Sequence, residues 1–220
     1  MVKIVRSFPA PASLKEQSDK ANGSYTCNDV IERLREDFYN KCYICELKGL
    51  QDPQVEHLLP HKNGKDRKRK FDWENLFWAC GHCNSVKNQK KYESGILDCC
   101  KEDPEKVLAF RLRENEVLAC VLGSKDKKVQ LTAELVKEAF YVQNTGMRVY
   151  KSDMRLKELQ KEMNVLYTKL EAYKKKPDSK LIQRTLKALL QRESAFAGFK
   201  RCYVREHMAE FPELQKYVTE

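Results

Sequence analysis

No stretch of this 220-residue chain approaches the roughly twenty consecutive apolar residues that a membrane-crossing helix needs. The opening Met1-Val2-Lys3-Ile4-Val5-Arg6 is charged and has no apolar run behind it, so it does not read as a secretory signal. Internal repeats and low-complexity tracts do not stand out either, which sets aside repeat arrays. Acid is in short supply: 32 acidic residues face 42 basic ones, for a net charge of +10. That excess implies an acidic partner, of which nucleic acid is the commonest, with a merely soluble basic protein as the bland alternative. Without a secretory route the expected compartment is the reducing cytoplasm, where nine cysteines do not make a disulfide scaffold. Adjacent residues such as Cys99 and Cys100 seldom pair with each other, and Cys27, Cys120 and Cys202 read with them as small apolar or semi-exposed side chains.

What the chain does have is concentrated between Lys41 and Lys87, KCYICELKGLQDPQVEHLLPHKNGKDRKRKFDWENLFWACGHCNSVK. Two Cys-x-x-C pairs, Cys42/Cys45 and Cys80/Cys83, bracket it. Each such knuckle aims both thiolates at one point, and two knuckles together supply the tetrahedral ligand set of a structural zinc ion. Four sulfurs leave no open position, so the zinc holds structure and the chemistry falls to what it clamps. Inside the bracket lie Glu56-His57, Asn75 and Asn84.

These residues resemble the HNH (ββα-metal) nucleases. Val55-Glu56-His57-Leu58-Leu59-Pro60 is similar to that family's acid-His-x-x-Pro strand, Trp73-Glu74-Asn75-Leu76 to its central Asn step, and Cys83-Asn84-Ser85-Val86-Lys87 to the start of its short helix. Within the superfamily the likeness is to PtuB-like nucleases of Septu and some retron anti-phage systems. Val2 to Arg6 with Pro9 to Leu14, Ile96-Leu97-Asp98, Glu102 to Glu105 and, more faintly, Phe196 to Arg201 extend it. The resemblance implies His57 as the general base, Glu56 and Asn84 as ligands of a catalytic Mg²⁺ or Mn²⁺, and Asn75 as the amide that orients the loop or the base. It also implies a PtuA-like ATPase partner. A carboxylate and an amide oxygen are hard donors suited to those ions, and neutral imidazole is the natural base near pH 7. Neighbouring strand residues point to opposite faces, so Glu56 and His57 share a site only if the strand end is bent, as it is in the family.

Taken in order, residues 1–24 read as an extended N-terminal arm, either disordered or docked, and we expect Val2 to Leu14 to dock on the partner. Residues 25–103 form the nuclease core: a helix from Asn28, a strand over 54–59, a basic loop, a second strand over 71–79 and a short helix from Asn84. In that loop Arg67, Lys68, Arg69 and Lys70 are candidate phosphate contacts, against the alternative of a solvated charge run. His61 either positions a phosphate or supports the site from behind, and His82 has either a direct role or an exposed place in the knuckle turn. Residues 104–220 make a hairpin over 107–122, a helix capped by Thr132 and reaching Val142 before Asn144-Thr145-Gly146, then two amphipathic helices capped at the second by Asp178 or Ser179. The expected fold is α+β, a zinc-clamped ββα core with a mostly helical C-terminal region. The expected function is a metal-dependent endonuclease acting on DNA or RNA; a catalytically silent zinc module that binds nucleic acid is the runner-up, and a protein-binding zinc adaptor the third reading.

Overall fold

A computed structural model describes residues 1–141 and 145–219, so the expected helix end at Val142 and the Asn144 position lie outside the described residues. The fold is α+β with two small antiparallel sheets and a large helical share. Helix α1 covers Ala12–Ser18 and α2 covers Asn28–Asp37, where Val30, Leu34 and the following Phe38 share one face and are fully buried. Strand β1 (Pro53–His57) pairs antiparallel with β2 (Leu76–Cys80), setting Val55 opposite Trp78 and His57 opposite Leu76. Helix α4 (Gly81–Lys87) leaves β2 without a loop, so two strands and a helix follow in the order expected from the motif.

Between β1 and β2 the structure departs from the expected loop and long strand. Arg67–Phe71 is a short helix, α3, and Trp73–Asn75 a single 3₁₀ turn, so β2 begins only at Leu76. Two aspartates are the cause. Asp66 accepts from Arg69 N at 3.0 Å and Asp72 from Glu74 N at 3.0 Å, each satisfying an otherwise orphaned donor at a helix start. Cys80 likewise caps α4, which moves its start ahead of the expected Asn84.

Of the two states expected for the arm, disordered or docked, the structure shows it packed on this chain. Met1, Val2 and Ile4 are buried in this chain's own core, Ile4 N donates to Cys99 O at 2.9 Å, and Leu14 is buried on α1. Arg6 is buried too, with its guanidinium 4.7 Å from the Trp73 ring and donating to Trp73 O and Leu76 O. The segment is thus folded onto this chain through alternate side chains, while Val5 and Phe8 between them stay exposed.

In the C-terminal region β3 (Leu108–Arg113) and β4 (Glu116–Val121) form the expected hairpin, with Glu114 at φ +51° in the turn. Helix α5 (Lys127–Tyr141) starts earlier than expected. Asp126 accepts from Lys128 N, while Thr132 is an interior residue whose Oγ1 bonds Lys128 O and receives Leu97 N at 2.8 Å. Helix α6 (Gly146–Lys175), capped by Thr145, and α7 (Lys180–Leu190), preceded by Ser179, pack together, burying Leu159, Met163, Leu166 and Leu170 against Leu186 and Leu190. Helix α8 (Ala197–Glu206) closes the core on the hairpin.

One hydrophobic cluster runs from Met1 to Val218, and a buried ion network stitches its ends. Glu46 takes the Met1 ammonium at 2.9 Å, Lys41 Nζ at 3.2 Å and the Gly198 amide at 2.9 Å. Burial would raise this carboxyl, but the two ammonium groups hold it at about 2. Gly198 is required by the close approach, since a Cβ there would lie 2.8 Å from the Glu46 carboxylate. Glu46→Gln is nearly isosteric yet strands two buried ammonium groups, so it is expected to destabilise by about 3–5 kcal/mol in urea denaturation.

Candidate functional site

Cys42 and Cys45 come from the turn after α2, Cys80 ends β2 and Cys83 lies in the first turn of α4. Their four Sγ atoms lie within 4.8 Å of one another, all four side chains are fully buried, and none is in a disulfide. A tetrahedron with zinc–sulfur bonds near 2.3 Å separates its sulfurs by about 3.8 Å, so the cluster is compatible with structural zinc. Four thiolates on a divalent ion carry excess negative charge. The buried Arg155 of α6, whose Nη2 lies 2.9 Å from Cys80 Sγ, answers it. His82, expected either to act directly or to sit exposed, is buried, with Nε2 3.0 Å from Ala139 O of α5. The knuckle is thus tied to the helical region from two sides.

Next to this cluster a cleft of about 460 Å³ is lined by Glu56, His57, His61, Asn84, Lys87 and Tyr25 among others. The His57 ring is largely buried, and burial lowers its pKa to about 4, so the imidazole is neutral at pH 7. Its Nε2 lies 3.1 Å from Lys70 O. A carbonyl can only accept, so Nε2 carries the hydrogen and Nδ1 keeps the lone pair. Tyr25 meets the ring edge-on at 4.6 Å between centroids.

Glu56 is buried, with Oε1 2.5 Å from Lys87 Nζ and Oε2 2.6 Å from the Tyr43 hydroxyl. Burial raises its pKa while Lys87 and Tyr43 oppose the rise. Lys87 also donates to His57 O and Leu58 O at 3.0 Å each, pinning the end of β1 to α4. Asn84, one turn before Lys87, lines the same cleft, and its side chain has no hydrogen-bond partner among the described residues. The two oxygen donors have the chemistry for Mg²⁺ or Mn²⁺, and an ion there would compete with the Lys87 ammonium for Glu56.

Asn75 is fully engaged inside the chain. Its Oδ1 accepts from Leu59 N at 2.8 Å and its Nδ2 donates to Leu59 O and Arg69 O. It holds the segment whose Lys70 carbonyl faces His57 Nε2. Of the four candidate phosphate contacts, Arg67 donates to the carbonyls of Ser18, Lys20 and Ala21, and Lys70 to Gly23 O. Arg69 pairs with Asp66 at 3.3 Å. Lys68 is exposed and has no such partner among the described residues. Much of this basic run therefore anchors the segment after α1.

Sequence reasoning missed Lys87, Tyr43, Tyr25 and Arg155. Lys87 had a signal, since it stands three residues after Asn84 on one helix and so shares its face. Arg155, 75 residues from Cys80, had none. No helix is long and apolar enough to cross a membrane among the described residues. No protein-family model and no curated protein matches this chain.

Proposed function

We propose that the chain is an HNH-type endonuclease that hydrolyses phosphodiester bonds of nucleic acid, built on a zinc-pinned strand–strand–helix unit. The observation that carries this reading is the state of His57: neutral, with Nε2–H tied to a backbone carbonyl and the Nδ1 lone pair left over, in one cleft with Glu56 and Asn84. His57 Nδ1 takes a proton from water as the water oxygen bonds to phosphorus and the phosphorus–oxygen bond to the leaving strand breaks. Asn75 and Lys70 O keep the ring in the tautomer that this needs. Glu56 and Asn84 would hold Mg²⁺ or Mn²⁺, which when bound polarises the phosphate and offsets charge on the leaving oxygen. The net charge of +10 supports a polyanionic substrate.

An ATPase partner and a role in anti-phage defence rest on the resemblance to the Septu and retron nucleases. With Met1, Val2, Ile4 and Arg6 buried in this chain, Val5 and Phe8 are what the arm would still offer such a partner. Buried, unpaired thiols are in keeping with a reducing cytoplasm.

One observation favours a second reading, a zinc module that binds nucleic acid without cutting it: Lys87 already neutralises the Glu56 carboxylate. Incubating the protein with DNA and with total RNA, in Mg²⁺ and without it, separates the two. Cleavage that requires the ion supports the nuclease; binding with no cleavage on any substrate, partner present, leaves the module. Lys87→Met is expected to tighten Mn²⁺ binding in a direct titration, because a buried carboxylate that loses its ammonium gains affinity for another cation. Unchanged Mn²⁺ affinity in a folded variant would remove Glu56 from the ligand set.

A further inference from the structure

The cleft holds a second imidazole, which the hydrolytic reading leaves unemployed. His61 follows Pro60 at the exit of β1, and its ring centroid lies 4.4 Å from that of His57 and 5.9 Å from that of Tyr25. The loop after it is wound tightly: Lys62, Asn63 and Gly64 take φ of +52°, +55° and +84° in succession. Left-handed backbone is costly for residues other than glycine, and here it is held by Lys65 N to Lys62 O and Asp66 N to His61 O. The winding brings the Gly64 amide back onto its own loop, where it donates to His61 Nδ1 at 2.8 Å and shares the bond with His61 O at 3.1 Å.

An amide N–H can only donate, so Nδ1 of His61 carries the lone pair and its hydrogen is on Nε2. Each of the neighbouring rings therefore has one nitrogen committed to backbone, and the leftover groups are opposite in kind. His57 keeps an acceptor at Nδ1, and His61 keeps a donor at Nε2. Nε2 of His61 has no partner among the described residues, and Lys62 and Asn63 line the cleft beside it.

We propose that His61 is a phosphate-contacting residue, whose Nε2–H donates to a non-bridging oxygen of the phosphodiester. This holds phosphorus in line with the water that His57 activates. The inference rests on the phosphodiester reading above. No proton changes hands at His61; the hydrogen bond strengthens as charge builds on the phosphoryl oxygens.

The test uses the full-length, zinc-loaded protein, labelled with nitrogen-15. Long-range proton–nitrogen spectra report each histidine's tautomer, and the His61→Gln spectrum assigns the missing ring. His61 is expected as the Nε2–H form, and a short oligothymidylate added without Mg²⁺ is expected to shift its Nε2 resonance. In Mg²⁺, His61→Ala is expected to cut roughly ten- to a hundredfold more slowly, the loss of one hydrogen bond to a charged group. His61→Gln, which keeps an N–H donor, should recover part of that rate. A His61 found as the Nδ1–H form, a resonance indifferent to the oligonucleotide, or wild-type cutting by a folded His61→Ala protein overturns the proposal. If the resonance shifts but the wild type cuts nothing, the phosphate contact stands and the nuclease reading fails.

Discussion

Protein purified without chelator is expected to contain zinc, and its removal is expected to unfold the β1–β2–α4 unit. Both strands have five residues and the helix seven, and the four buried thiols gather where β2 ends and α4 begins. Leu76 to Ala79 and Val86 join the common core, but elements this short bury little apolar surface against one another, so an ion would supply much of the unit's own cohesion. Apparent zinc affinities of such sites in isolated peptides correspond to roughly 10–16 kcal/mol, much of it folding free energy. The structure adds a second loss. Without the tetrathiolate charge, Arg155 is a buried guanidinium with no anion beside its Nη2, and His82 and Arg155 together carry the strain into α5 and α6. Cys42→Ser and Cys80→Ser should therefore lose zinc and abolish the main thermal transition, as read by elemental analysis and calorimetry. Protein that melts cooperatively at the same temperature with and without zinc would show that the cysteines are only core residues.

His57→Ala is expected to remove most of any nucleic-acid cleavage while leaving the zinc in place. A positioned general base contributes on the order of a hundred to ten thousand fold, well within reach of a gel assay. Stability is expected to fall as well, because the ring is buried between Tyr25 and His61 and bonds Lys70 O. Truncation leaves a small void and an unpaired carbonyl, a cost of about 1–3 kcal/mol. His57→Gln fills the space and can still donate to Lys70 O, so it separates chemistry from packing. A folded His57→Gln protein that binds nucleic acid like the wild type but does not cut supports the base; one that cuts at the wild-type rate removes it. Affinity should move little in either variant, since it comes mainly from phosphate contacts elsewhere.

The gathering of the four knuckle cysteines, the two β-hairpin runs and the stripes of α6 and α7 are legible in the residues. Each is a local code: a Cys-x-x-C spacing, two β-prone runs around a polar Arg113-Glu114-Asn115 turn, apolar side chains at helical steps. The boundaries that went astray share a cause. Asp66, Asp72, Cys80 and Asp126 cap helices that apolar periodicity does not mark, so periodicity alone makes α3 a loop, lengthens β2 and starts α4 and α5 too late. The place where the arm packs is not legible for another reason. Pro9, Pro11 and Gly23 signal irregular backbone, but irregular backbone can pack as well as a helix when a surface waits for it.

The amino-acid sequence by itself determined which atoms are available: four sulfurs at knuckle spacing, an acid beside a histidine, an amide on the helix that follows, and an excess of positive charge. Tertiary structure alone decided what each of them has left to offer. Glu56 is shared between Lys87 and Tyr43, Asn75 spends its whole amide on backbone, and Arg67 and Lys70 hold the chain near α1. His57 and His61 emerge with one free nitrogen each, of opposite character. The physical reason is that a polar group taken out of water must find partners, and those come from residues distant in sequence, such as Lys87 for Glu56 and Arg155 for Cys80. Spacing along the chain names the donors and acceptors; only the packing of α4 against β1 and β2, with α5 and α6 behind it, says which remain unspent.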